Sequence, residues 1–116
     1  MALLEQPPIP VRICNVLCQL GAKPETTGFY FSAVALELVC DQPQRATLVT
    51  KWLYPDVARV YKTSVAAVER GIRTTAETVG EAQTELAQEL FPGGIYPTAS
   101  HFISRVAMYL NNEDAE

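Results

Sequence analysis

The chain has 116 residues, of which 48% are hydrophobic and 19% are charged; this composition supports one folded domain and excludes a disordered chain. A formal net charge of -4 excludes a protein that is basic over its whole surface, so any basic region must be local. The longest apolar stretch, 29–40, is interrupted by Glu37 and is shorter than the ~18 residues of a membrane span. Because the first residues also lack the basic start of a signal peptide, we expect a cytoplasmic protein that does not bind membranes.

Apolar residues at helical spacing predict an all-α fold, a compact domain of six to seven helices that contains a helix-turn-helix. We place this domain at residues 10–112. The proline-rich segment 1–9 is interpreted as a tail or the stub of a linker, and 113–116 as a disordered acidic tail. The predicted helices, in chain order, cover about 13–20, 27 or 28 to 40, 44–53, 55–61, 65–79, 81–91 and 99 or 101 to 110.

Turn and cap residues support these boundaries. We expect Thr26 or Thr27 to cap the second helix, which is apolar nearly all round and should therefore be the most buried. Pro55 should push Tyr54 out of helical geometry and begin the short fourth helix. A hydroxyl of the turn 62–64 should cap the fifth helix, and Thr98 or Ser100 should open the last one.

The short helix, the tight turn 62–64 and the amphipathic helix 65–79 together are typical of a helix-turn-helix. On the outer face of the second helix, Arg70 and Arg73 are three residues apart and point the same way beside Glu69. An arginine can bind both acceptors of a guanine edge, and a glutamate can accept from a cytosine amine. We therefore predict that these three residues read DNA bases. The alternative is an ordinary Glu69–Arg73 ion pair, which is worth ~0.3–0.5 kcal/mol and implies no function.

The charges are unevenly distributed along the chain. Residues 42–75 contain six basic and two acidic residues, a net charge of +4, whereas the rest of the chain has a net charge of -8. A positive segment suits DNA, because attraction to phosphates supplies most non-specific affinity. The predicted phosphate contacts are Lys51, Arg59, Lys62, Thr63, Ser64 and Thr74. For any one of them alone, the alternative is a solvated surface residue.

The run from Leu53 to Arg59, the pair Thr63-Ser64 and the run from Val68 to Arg73 resemble the DNA-binding effector domain family of stage-zero sporulation protein A. That family comprises response-regulator transcription factors that start endospore formation in Firmicutes, and the looser likeness extends from Ile9 to Leu110. The resemblance implies a six-helix or similar all-α effector domain that binds TGTCGAA-like boxes in double-stranded DNA. It implies that Glu69, Arg70 and Arg73 address bases or nearby phosphates.

The same resemblance implies that adjacent copies pair on tandem sites, and it leaves open a homodimer and contacts with a full-length sporulation regulator or RNA polymerase. Since the family has a phosphorylatable receiver domain, the chain is interpreted either as a fragment beginning at the proline-rich linker or as a stand-alone relative.

The sequence also departs from the family. Ala67 occupies the place of a further arginine, and Gly71 costs the helix roughly 1 kcal/mol relative to alanine. The segment 93–96, which is basic in the family, has no charge here. These departures support a second hypothesis, in which the domain is a protein-interaction module that has weakened or lost DNA binding and modulates a full-length regulator.

An enzyme is the least favoured class, because the sequence contains no phosphate-cradling glycine loop, no nucleophile–base pair and no metal-ligand cluster. We therefore predict no catalytic residue, no metal site and no cofactor. The odd number of cysteines suggests reduced thiols that pack as small core residues. Cys14 and Cys18 are four residues apart and would share a helix face, so a metal pair is conceivable, but no His or second Cys pair lies nearby in the sequence and simple packing is favoured.

Overall fold

The computed structural model describes residues 9–93 and 98–115. Within these ranges the chain forms six α-helices and no β-strand, which confirms the predicted all-α class. The helices are α1 (Val11–Gln19), α2 (Thr27–Asp41), α3 (Tyr54–Tyr61), α4 (Val65–Ala82), α5 (Glu85–Leu90) and α6 (Ala99–Ala115). No helix among the described residues combines the length and hydrophobicity that a bilayer crossing requires.

Helix α2 lies at the centre of the fold, as its all-round apolar sequence predicts. It contacts α1, α3, α4 and α6, and Ala33, Ala35 and Leu36 are fully buried within it. Helix α4 packs against α2 through a stripe in which Val68, Ile72, Ala76 and Val79 are all fully buried. An apolar helix surrounded by four others buries its side chains on every face, which removes apolar surface from water.

Two glycines allow α2 and α4 to approach closely. A Cβ on Gly28 would collide with the backbone oxygen of Gly71, and a Cβ on Gly71 would lie 2.7 Å from Cδ2 of Phe31. Real side chains do not approach so closely, so the crossing requires both glycines. The propensity cost of Gly71 therefore accompanies a packing requirement that the sequence alone did not reveal.

The predicted cap residues are confirmed at three helices. The backbone N–H of Phe29 donates to the Thr26 hydroxyl at 3.2 Å, and that of Ala67 donates to the Ser64 hydroxyl at 3.0 Å. The N–H of His101 donates to the Thr98 hydroxyl at 3.2 Å. Each hydroxyl satisfies a helix-terminal donor that has no partner within its own helix.

The predicted third helix, 44–53, is wrong as a regular α-helix. Residues Pro43–Thr47 form a 3-10 helix, and Val49–Leu53 form a π-helical turn. Tyr54 has helical dihedral angles (φ -63°, ψ -40°) and begins α3, so the expectation that Pro55 displaces it is also wrong. Pro55 lies in the first helical turn, where a backbone N–H has no helical partner to lose. The wide π turn before it relieves the clash that a proline ring makes with a regular preceding turn.

The boundary between the fourth and fifth α-helices also differs from the prediction of one helix over 81–91. Helix α4 continues to Ala82 and ends where Gln83 takes a left-handed conformation (φ 54°). The hydroxyl of Thr84 then caps the short helix α5. Glu81 consequently belongs to α4 and not to the helix that contains Glu85.

The structure describes only part of the two predicted tails, 1–9 and 113–116. Helix α6 includes residues 113–115, which the sequence suggests are a disordered tail. Residues 1–8 of the proline-rich segment, residues 94–97 of the segment before α6, and Glu116 lie outside the described residues.

The three cysteines are reduced thiols. Cys14 and Cys40 are half-buried, whereas Cys18 is exposed, so the prediction that all three pack as core residues is wrong for Cys18. Helix α1 buries only the face that contains Ile13, Val16 and Leu17. Burial and the neighbouring Cys18 thiol both raise the pKa of Cys14. Among the side chains described, those of 9–93 and 98–112, no group of three His, Cys, Asp or Glu could hold a metal ion.

Candidate nucleic-acid interface

Helices α3 and α4 form the predicted helix-turn-helix around a tight turn. Lys62 adopts a left-handed conformation (φ 55°, ψ 49°), and the N–H of Thr63 donates to the carbonyl of Ala58 at 2.9 Å. Left-handed residues commonly end helices in this way. Ser64 then caps α4, while buried Val57 on α3 and Val68 on α4 belong to the common core. The left-handed Lys62 and the Ser64 cap therefore set the direction of α4 relative to α3.

The outer surface of α4 presents Glu69, Arg70 and Arg73, which we call the α4 face. Nη1 of Arg73 donates to both carboxylate oxygens of Glu69, at 2.8 and 2.9 Å. The two side chains are 49% and 36% exposed. Arg70 is also exposed and, within the described ranges, has no ion-pair partner. Both arginines therefore reach solvent, and an exposed i, i+4 pair worth ~0.3–0.5 kcal/mol is weak enough to exchange partners.

Tyr54, the first residue of α3, is buried close to the Glu69–Arg73 pair. Its burial raises the pKa of Tyr54 to about 12; the negative charge of Glu69 adds to the increase, and the positive charge of Arg73 opposes it. The phenol is therefore neutral over the whole physiological range. Tyr54 therefore places a neutral, buried side chain of α3 next to the α4 face.

The other arginines of the basic segment are held by one carboxylate. Arg45 donates from Nε to Oδ2 of Asp56 at 3.2 Å, and Arg59 donates from Nη1 to Oδ1 of Asp56 at 2.7 Å. Nη1 of Arg45 also donates to the carbonyl of Leu38 at 3.1 Å, and its guanidinium lies 5.3 Å from the centroid of the Trp52 ring. We call Arg45, Asp56 and Arg59 the Asp56 cluster. It ties the irregular segment 43–53 to α2 and α3.

The remaining predicted phosphate contacts lie on the π turn, in the turn 62–64 and on α4. Lys51 is exposed on the π turn, Lys62 and Thr63 are exposed within the turn, and Thr74 is exposed on α4. The Ser64 hydroxyl accepts the cap hydrogen bond of α4, and its own proton can still be donated to an external acceptor. Arg59 is paired with Asp56, although the Arg59 side chain is 74% exposed.

A groove of about 500 Å³ runs beside α4, and Tyr54 does not line it. Lys23 and the first turn of α2 form one wall, and the flank of α4 that contains Arg70 and Thr74 forms the other. Arg70 and Arg73 are close in sequence, but Arg70 lines this groove whereas Arg73 is bonded to Glu69 near Tyr54. Sequence reasoning missed Lys23, because it lies outside the basic segment 42–75.

The structure also shows the surroundings of Ala67, which replaces an arginine of the family pattern. Ala67 lies half-buried in the wall of the groove, so a small side chain leaves open the space where a long one would stand. The uncharged segment before α6 can be located only at Gly93, since 94–97 lie outside the described residues.

The chain matches the model of one protein family. The model is described as the C-terminal domain of sporulation initiation factor Spo0A, and the match covers residues 13–110. It includes all six α-helices in whole or in part, the α4 face and the Asp56 cluster.

Proposed function

The chain belongs to the family of Spo0A C-terminal domains, and from this premise we propose that it is a sequence-specific DNA-binding transcription regulator. The observation that carries the proposal is the exposed α4 face, which a capped helix-turn-helix holds outside the core. Such a helix fits the major groove, where base edges carry a distinct pattern of donors and acceptors.

The proposed base-reading residues are Glu69, Arg70 and Arg73, and the proposed target is a TGTCGAA-like box. The Glu69–Arg73 pair supports this assignment, because the carboxylate holds one nitrogen of the guanidinium while the others can still donate. A guanine edge offers the two acceptors that such a fork requires. Glu69 keeps lone pairs for a cytosine amine next to it.

The proposed phosphate contacts are Lys51, Lys62, Thr63, Ser64 and Thr74, together with Arg59. Asp56 partly cancels the charge of Arg59, so we expect Arg59 to contribute less than Lys51. Phosphate contacts fix the register of the recognition helix without reading sequence. Pairing of adjacent copies on tandem boxes, and contacts with RNA polymerase or a full-length regulator, are further parts of this proposal.

Fluorescence anisotropy with a labelled duplex tests the proposal. The wild-type protein should bind a TGTCGAA duplex more tightly than a scrambled one, and its affinity should fall steeply with salt. The double variant Arg70→Ala/Arg73→Ala should lose about 2–6 kcal/mol of binding free energy, since each base contact is worth about 1–3 kcal/mol. Arg73→Ala alone should relax the preference at one base position.

Arg105→Ala is the matched control, because it removes one arginine from α6, outside the helix-turn-helix. It should leave both affinity and base preference unchanged. If the double variant binds as the wild type does, or if affinity is independent of salt, the proposal is wrong. Absence of wild-type DNA binding, together with capture of a full-length regulator, would support the protein-interaction module instead.

A further inference from the structure

The groove beside α4 exists because small residues meet along the α2–α4 crossing. Gly28 and Gly71 bring the first turn of α2 against α4, and both line the groove together with Ala67. The groove lies between the exposed edges of the two helices, beside this close contact. It lies directly next to the α4 face, because Arg70 belongs to both.

The chemistry of the groove is that of an anion site. The described residues that line it provide two cations, Lys23 and Arg70, and six threonines, and none of them is acidic. Three of the threonine hydroxyls already donate to backbone carbonyls, so those of Thr27, Thr63 and Thr74 are the ones that can donate to a ligand. Both cations are exposed, and neither has an ion-pair partner within 9–93 and 98–112. This contrasts with the Asp56 cluster, in which a carboxylate already holds both arginines.

We propose that this groove binds the phosphodiester backbone of one DNA strand alongside α4, with Lys23 and Arg70 as its cationic contacts. The inference rests on the proposed DNA-binding function and adds Lys23, from the segment before α2, to the interface. Under this arrangement the two arginines of the α4 face have separate tasks. Arg73 reads a base together with Glu69, whereas Arg70 lies between the bases and the backbone and can contact both.

The groove suits a strand better than a single ion, because it extends along α4 from Ala67 past Thr74 to Thr78. The eleven helical steps from Ala67 to Thr78 rise by about 16 Å, which is long enough for several consecutive phosphates. Exposed threonine hydroxyls at both walls can donate to phosphate oxygens, as is common in DNA complexes.

Lys23→Gln tests this proposal in a salt titration against both the cognate and a scrambled duplex. Loss of one phosphate contact should reduce the slope of log affinity against log salt by about 0.9, which corresponds to about eightfold weaker binding near 0.1 M salt. The loss should be equal for the two duplexes, because a backbone contact carries no sequence information. Arg105→Gln, which removes one positive charge from α6, should leave the slope unchanged.

Neutral methylphosphonate linkages, introduced one at a time into each strand, locate the contact. At one position of one strand the neutral linkage should weaken the wild type but cost Lys23→Gln nothing further. A second variant, Ala67→Leu, should narrow the groove without changing charge and should also weaken both duplexes equally.

The outcomes separate this inference from the proposed function. A wild type that binds the cognate duplex, combined with an unchanged salt slope in Lys23→Gln, would overturn the groove contact alone. A Lys23→Gln effect confined to the cognate duplex would also overturn it. A wild type without DNA affinity would overturn both proposals.

Discussion

The Asp56 cluster and the α4 face each contain two arginines and one carboxylate, yet they are built for different tasks. In the Asp56 cluster the side chains of Arg45 and Asp56 are only 14% and 19% exposed, and Arg45 also binds a backbone carbonyl and faces the Trp52 ring. On the α4 face the side chains of Arg73 and Glu69 are 49% and 36% exposed, and Arg70 has no ion-pair partner among the described residues. Both regions contribute to the same +4 segment, so a charge count along the chain overestimates the charge that DNA can meet.

The largest expected effect is on stability and concerns Arg45. Arg45→Ala should lower the free energy of unfolding by about 1.5–3 kcal/mol, because it removes hydrogen bonds that involve charged groups and leaves Asp56 and the Leu38 carbonyl with fewer partners. Arg73→Ala should change it by less than about 0.5 kcal/mol, since its exposed ion pair contributes little. Urea denaturation followed by circular dichroism measures both. Equal losses in the two variants would remove the distinction between the regions.

A smaller effect is expected when the carboxylate of the Asp56 cluster is neutralised. Asp56→Asn keeps the shape of the side chain but releases the charge of Arg59, which is 74% exposed. Binding to a scrambled duplex should then show a salt slope steeper by up to about 0.9. Glu89→Gln, which neutralises an exposed carboxylate on α5, is the control and should not change the slope. A slope that stays at the wild-type value in Asp56→Asn would mean that Asp56 does not restrain Arg59.

The smallest expected effect is on the pH dependence of stability and concerns Tyr54, which lies close to the α4 face. Because the pKa of Tyr54 rises from 10 to about 12 on folding, the folded state holds the phenolic proton more tightly than the unfolded state does. The corresponding stability is complete below pH 10 and is lost as pH rises through 12. At about pH 11 the wild type should therefore have lost about 1 kcal/mol more than Tyr54→Phe, relative to about pH 8.

Tyr61, whose pKa burial also raises to about 12, is present in both proteins and cancels in this comparison. Urea denaturation at the two pH values gives the difference. Parallel losses in the wild type and Tyr54→Phe would show that folding does not raise the pKa of Tyr54 as described.

Local signals in the sequence were sufficient for most of the fold. The apolar period of 3.6 residues identified the central helix α2 and the inward stripe of α4. Hydroxyl residues marked three helix starts to within two residues, and the structure selects Thr26, Ser64 and Thr98 as the caps. These features depend on neighbours within a few residues, so they can be read from the chain directly. The irregular segment 43–53 could not be predicted in this way, because Arg45 reaches Asp56 and Leu38 only after the chain has folded.

The candidate site likewise combines features that the sequence predicts with features that only folding creates. Sequence alone placed Glu69, Arg70 and Arg73 on the outer face of one helix, because residues three and four apart share a helical face. Only the tertiary structure decided which cations have carboxylate partners, and only the Gly28–Gly71 crossing brought Lys23 next to Arg70. Spacing along a helix is a local property, whereas the Arg45–Asp56 pair and the close approach of Gly28 and Gly71 join residues that are distant in the chain.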